Sequence, residues 1–224
     1  MKLRTQKNTR YKNGACVAID NSEFVETLVD AYRPLYENLY GNIENAIKVI
    51  SAAQNEKSAI FNRENYYMLF DEKKDNLIGM NALWKPGNEF DLELERFLLK
   101  ITGVEEPKEF QIWADNYFLP SWNGKNLTKF KFGSMVLKPE FRGQGFGDCI
   151  MQRLDNVVEQ QMEGTEANVK LTVMKGNLPA INLYKKSGFE IVGKRDIFES
   201  YDEKTNTMTT APAYEMEKCY EKFC

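Results

Sequence analysis

Apolar residues recur every three or four positions in several stretches, which predicts amphipathic helices. Phe24, Leu28 and Ala31 or Tyr32 form the first stripe. Asp20 and Glu23 before it have the spacing of a capping-box variant, and Pro34 is expected to end that helix. Ile43, Ala46, Ile47 and Ile50 mark a second helix. Its apolar face suits either a core or the floor of a substrate cleft. Further helices are predicted over Leu92–Ile101, from Pro107 to Tyr117, and from about Gly147 to Gln161. The last carries Ile150, Met151, Leu154, Val157 and Val158 on one side. A short helix over Pro179–Lys186 has proline in its first turn and Gly188 to stop it. Alternating or continuous apolar runs predict strands at Ala15–Ile19, Asn65–Asp71, Leu77–Trp84, Phe130–Leu137 and Val169–Val173. A final pair is expected at Glu190–Phe198 and Ala213–Lys218, joined by a polar connection over Glu199–Thr210. Residues 1–14 read as a polar, partly ordered lead.

Composition narrows the chemistry. The chain has 224 residues, 42% of them hydrophobic, enough for one large domain or two small ones. A net charge of −3 gives no basic footprint for nucleic acid and mildly favours cationic partners. There is no histidine, and Cys16, Cys149, Cys219 and Cys224 form no C-x-x-C. A Cys/His metal site and any Ser-His or Cys-His mechanism are thereby excluded. The cysteines read as reduced thiols of a cytoplasmic chain, although Cys219 and Cys224 could pair. No signal peptide and no apolar run long enough for a membrane span is apparent. Acidic residues crowd the block 85–125: Glu89, Asp91, Glu93, Glu95, Glu105, Glu106 and Glu109. They form either a solvated helix face or an acidic wall that draws in a cationic amine. Trp84, Trp113, Tyr117, Phe118 and Trp122 are either the core of this block or the lining of a pocket.

The most informative stretch follows the strand Phe130–Leu137. Pro139 ends the strand, and glycines alternate at 143, 145 and 147 before the helix begins. Strand, glycine-rich turn and helix make an anion cradle. Glycine lets a ligand approach the backbone, and first-turn N–H groups with the helix dipole favour a phosphate. A P-loop needs Lys-Ser or Lys-Thr after the last glycine, but Asp148 and Cys149 stand there. A dinucleotide fingerprint needs G-x-G-x-x-G, whereas the spacing here is G-x-G-x-G.

Arg142-Gly143-Gln144-Gly145-Phe146-Gly147 fits R-x-x-G-x-G and resembles the pyrophosphate loop of the GNAT family of N-acetyltransferases. Leu137-Lys138-Pro139-Glu140-Phe141 resembles that family's lead-in. A second segment, from Asn177 to Phe189, resembles its N-x-x-A-x-x-x-Y-x-x-x-G-F pattern, with Asn177, Ala180, Tyr184, Gly188 and Phe189 in place. The resemblance implies an α/β fold (α+β by some schemes), with a central mixed, mostly antiparallel sheet splayed between its fourth and fifth strands and helices on both faces. It implies a single domain over 1–224, with a helical block inserted at 85–125 and a motif-bearing acetyl-CoA-binding core at 129–198.

The resemblance also implies roles. Backbone N–H groups of Arg142–Gly147 would hold the pyrophosphate of acetyl-CoA. Met135, Val136 and Leu137 would pair with pantetheine, one N–H polarising the thioester carbonyl. Tyr184 would protonate the departing thiolate, and Asn177 would bond the pantetheine arm. Read without the family, Tyr184 is a core aromatic that packs Phe189, and capping alone explains Asn177. An amine of pKa about 10.4 must lose a proton before it attacks. The glutamate that the family often carries on the central strand is absent from Phe130–Val136. Glu89, Asp91, Asp115, or Ser134 orienting a water, are the alternatives. No metal is implied. The acceptor is expected to be a small-molecule amine, with a protein N-terminus or lysine as the alternative. A CoA-binding regulatory module without catalysis is the rival from another class. The terminal strands leave pairing between two subunits open.

Overall fold

Two apolar cores, one on each face of a single sheet, hold nearly all the buried side chains. The structure, a computed structural model, describes residues 9–13, 21–71, 76–88, 91–114, 129–202, 204–205 and 207–221. Among these, seven strands are β1 (Thr9–Asn13), β2 (Tyr66–Asp71), β3 (Leu77–Trp84), β4 (Phe130–Leu137), β5 (Glu166–Met174), β6 (Glu190–Asp202) and β7 (Thr207–Glu221). Their order is β1-β2-β3-β4-β5-β7-β6. Every neighbouring pair is antiparallel except β4 and β5.

Strand β2 shows why the sheet needs helices on both sides. Tyr66, Met68 and Phe70 enter one core, while Tyr67 and Leu69 enter the other. A continuous apolar run of this kind suits a strand covered on both faces. Helices α1 (Asn21–Ala31), α2 (Arg33–Tyr40), α3 (Ile43–Ala53), α4 (Leu92–Ile101) and α5 (Lys108–Trp113) cover the first face. Helices α6 (Phe146–Gln161) and α7 (Leu178–Lys186) cover the second, α6 burying Cys149, Ile150, Met151, Leu154 and Val158. Among the described residues no helix is long and apolar enough to cross a membrane.

Several expectations change. Pro34 does not simply end a helix: it sits in the first turn of α2, where its missing N–H costs nothing. Helix α2 then buries Tyr36, Leu39 and Tyr40 and stops at Gly41, whose φ is 80°. The polar lead contains β1, which pairs with β2 from Thr9↔Asp71 to Asn13↔Tyr67. The polar connection Glu199–Thr210 is mostly strand, because β6 and β7 continue pairing to Asp202↔Thr207. Backbone pairing, rather than apolar burial, sustains that exposed end of the hairpin. The expected strand Ala15–Ile19 and the capping residue Asp20 lie outside the described residues. Helix α3 turns Ala46, Val49, Ile50 and Ala53 into the core, so its apolar face packs rather than lines a cleft. Trp84 and Trp113 also pack in this core; Tyr117, Phe118 and Trp122 lie outside the described residues. Cys149 is a buried free thiol and Cys219 an exposed one, while Cys16 and Cys224 lie outside the described residues.

Candidate active site

The site grows from the way β4 leaves its neighbour. Strands β4 and β5 pair in parallel only at Phe130↔Val169 and Lys131↔Lys170. Beyond Lys131, β4 has no partner on that side among the described residues, so its edge groups there can pair with an extended ligand. On its other side β4 pairs with β3, and that ladder is interrupted. Val136 stands opposite Met80 and Gly133 opposite Ala82, which leaves Ser134 and Met135 together facing Asn81. This is a β-bulge, and its extra residue is left out of the ladder. Ser134 takes a φ of 47°, a conformation that non-glycine residues rarely adopt. Gly79 makes the close approach here feasible. A Cβ at Gly79 would collide with the Val136 carbonyl oxygen.

After the bulge the chain enters the glycine loop. A short 3-10 turn over Pro139–Phe141 leads to Arg142. The Arg142 Nε donates to the Leu137 carbonyl at 3.0 Å, and the Gln144 amide donates to the Glu140 carbonyl. Both long side chains thus brace the loop. The Phe141 and Phe146 rings meet edge to face, 5.7 Å apart. Gly143 and Gly145 adopt φ of 71° and 86°. The backbone N–H groups of Gly143, Gln144, Gly145, Phe146 and Gly147 have no backbone partner among the described residues. Free donors at the head of a sixteen-residue helix, with open space at the Gly143 Cβ position, fit a pyrophosphate.

Tyr184 comes from α7. The helix is capped by Asn177, whose side chain accepts from the Ala180 N–H at 3.2 Å. That cap occupies Asn177 in the structure. Tyr184 is 8% exposed and packs edge to face on Phe132, with Phe189 on its other side. Its hydroxyl lies 3.9 Å from the Met135 sulfur. Burial pushes the phenol up to about 12. The Met135 methyl in turn would be 3.6 Å from a Cβ at Gly147. Met135 therefore joins the three parts: bulge, glycine loop and Tyr184. Val136 points into the first core, opposite Met80, and Leu137 packs against the second.

Two titratable groups near this region escaped notice in the sequence. Lys131 sits on β4 where pairing with β5 ends, and burial, reinforced by Arg195 and opposed by Glu215, lowers its pKa to about 7. Glu95 is 2% exposed, inside the first core. Its Oε1 accepts from the Ile60 N–H at 2.9 Å, and burial raises its pKa from 4.5 to about 7. The acidic run hid it. The spacing Leu92, Glu95, Leu99 places it on the apolar face of α4, and that signal was available. Of the other acids in the run, Asp91 is exposed and caps α4, and Glu93 and Glu105 are exposed. The solvated-face reading holds for these three and fails for Glu95. Glu89 and Asp115 lie outside the described residues.

Similarity to known proteins agrees with this geometry. The model of the acetyltransferase (GNAT) family matches residues 25–189. Thialysine N-epsilon-acetyltransferase of Sus scrofa is 33% identical over 85 residues, 38% of this chain and 44% of that protein. The matched stretch thus spans less than half the length of that relative. A crystal structure of an acetyltransferase superposes with a TM-score of 0.64 at 17% identity, covering 95% of this chain and all of the other (100%). An N-acetyltransferase from Staphylococcus aureus Mu50 gives 0.56 at 11% identity, with 93% and 99% covered. These two likenesses concern the fold. The family match extends across both motifs and the splayed strands β4 and β5, and the chain belongs to the GNAT family of acetyltransferases.

Proposed function

We propose that the protein transfers the acetyl group of acetyl-CoA directly to a primary amine of a small molecule, both substrates being bound together. The observation that carries this reading is the convergence at Met135 of bulge, glycine loop and Tyr184. Acetyl-CoA, the co-substrate implied by the family, supplies the activated acetyl group. N–H groups of residues 143–147 would hold its pyrophosphate. The open edge of β4 would pair with the pantetheine, and an N–H freed by the bulge would donate to the thioester oxygen. Tyr184 would return a proton to the sulfur. A phenol pushed up to about 12 stays protonated at any working pH. Apolar surroundings such as Phe132 and Phe189 around Tyr184 would also make a departing thiolate more basic than in water, which narrows the mismatch between donor and acceptor.

Two observations favour a small amine. The curated relative is named for the N-epsilon group of thialysine, and the net charge of −3 favours a cationic acceptor. The four cysteines suit a reducing compartment, and we place the protein in the cytoplasm on that ground.

Release of the CoA thiol should be followed with thialysine, lysine, spermidine, and a peptide bearing a free N-terminus and one lysine. At least one small amine is expected to exceed the peptide about tenfold in kcat/KM, a difference of about 1.4 kcal/mol in transition-state binding. A peptide turned over faster than every small amine would move the acceptor to protein. Tight acetyl-CoA binding without transfer to any amine would leave a binding module instead.

A further inference from the structure

The proposed transfer needs a base, and β4 supplies no carboxylate. We propose that Glu95 is the end of a buried proton relay that starts at the bulge residue Ser134 and runs through the Tyr66 hydroxyl. This inference rests on the acetyl-transfer reading above.

Three observations carry it. Glu95 is buried, and only one of its oxygens is occupied: Oε1 accepts from Ile60, while Oε2 has no partner among the described residues. The Tyr66 hydroxyl is also buried and makes no hydrogen bond of normal geometry. Tyr66 lies across β3 from the bulge: it pairs with Ala82, and Ala82 pairs with Gly133, the residue before Ser134. The Tyr66 phenol senses the Glu95 charge and has the Ser134 side chain as a polar neighbour. Unpaired buried oxygens are costly, and they persist where they serve chemistry or hold a water. Among the described residues, Tyr40 from α2, Tyr66 from β2 and Asp91 at the cap of α4 are the titratable groups that interact with Glu95, and the loop contributes the Ile60 N–H. No cation is among them, so Glu95 binds a proton readily. Its pKa near 7 lets it exist as a carboxylate at neutral pH and still accept one.

The step balances without any other reactant. The acceptor ammonium gives a proton to the Ser134 oxygen as Ser134 gives its own to the Tyr66 oxygen. Tyr66 passes its proton, directly or by one buried water, to Oε2 of Glu95. A charged amine and a carboxylate become a neutral amine and a carboxylic acid. Ser134 carries its strained φ at the point where the β4 ladder with β3 is interrupted. Glu95 acts through Tyr66 and Ser134 and is a positioning residue for the proton, since it does not touch the amine.

The test compares wild type with Glu95→Gln and Tyr66→Phe. Infrared titration of the free protein between pH 5 and pH 9 reads the protonated carboxyl band directly and needs no turnover. The expected result is a buried carboxyl band that disappears as pH rises through about 7 and is missing from Glu95→Gln. In the same proteins, kcat with thialysine or the best amine of the panel is measured against pH. Wild type should lose activity on the acid side of about pH 7, and that limb should be gone in Glu95→Gln. Both variants should fall at least about tenfold at pH 8, with acetyl-CoA affinity kept. Glu95→Gln or Tyr66→Phe within about twofold of wild type, or a band that titrates in the ordinary carboxylate range, overturns the relay alone. A wild type that transfers to no amine overturns the function beneath it.

Discussion

Replacing Tyr184 by Phe is expected to lower kcat about 10²–10³-fold while acetyl-CoA affinity stays within about twofold, the range of one general acid. The change removes a single oxygen. Among the described residues that oxygen hydrogen-bonds only to the Met135 sulfur, at 3.9 Å, so its loss breaks no strong hydrogen bond there. The ring keeps its contacts with Phe132 and Phe189, and the fold should be unaffected. The pattern of kinetic loss is therefore informative. An interaction made only as the thiolate departs lowers kcat and kcat/KM together. If Tyr184 were only a core aromatic, Phe would be a near-neutral replacement. Steady-state turnover with the best amine, set beside calorimetric CoA binding, separates the two.

The second large effect lies in stability. Glu95 titrates near 4.5 when unfolded and about 7 when folded, so the folded state binds the proton more tightly. A group of this kind stabilises most below its unfolded pKa, and the contribution is lost as pH rises through the folded value. Over this interval the loss amounts to about 3 kcal/mol, at about 1.36 kcal/mol for each unit. Glu95→Gln cannot titrate. Its stability relative to wild type should therefore improve by about that amount between pH 4.5 and pH 7 and change little above. Other carboxylates tilt both proteins alike and cancel in the difference. Denaturant unfolding at a series of pH values gives it directly. A constant difference across the range would mean that Glu95 titrates normally, and the buried carboxylate would lose its special standing.

Much of this was legible in the sequence because it is local. Glycine spacing and a following amphipathic stripe specify the loop and α6, and strand β4 was read to its ends. Helix α4 was likewise read to its ends, since its apolar period and its cap Asp91 lie within a few residues. What escaped depends on partners far along the chain. The strand Thr9–Asn13 is polar and is held by pairing with β2, which no local pattern reveals. The hairpin extended past its expected ends for the same reason. Helix α2 was missed because Pro34 stops one helix and starts another equally well. The bulge at Ser134 and Met135 arises from a mismatch of register between β3 and β4, and a single strand carries no record of it. Glu95 is a subtler case. Its helical phase was visible, but a glutamate among seven other acids of the block reads as solvated until the core around it is seen.

The central claim is that residues 142–147, the bulge and Tyr184 form one acetyl-CoA site. A crystal structure of the protein with CoA tests it most directly. The pyrophosphate should lie against the N–H groups of residues 143–147, with pantetheine along the open edge of β4 and the sulfur near the Tyr184 hydroxyl. A pyrophosphate bound elsewhere, or a pantetheine that leaves β4 unpaired with its sulfur remote from Tyr184, would contradict the account.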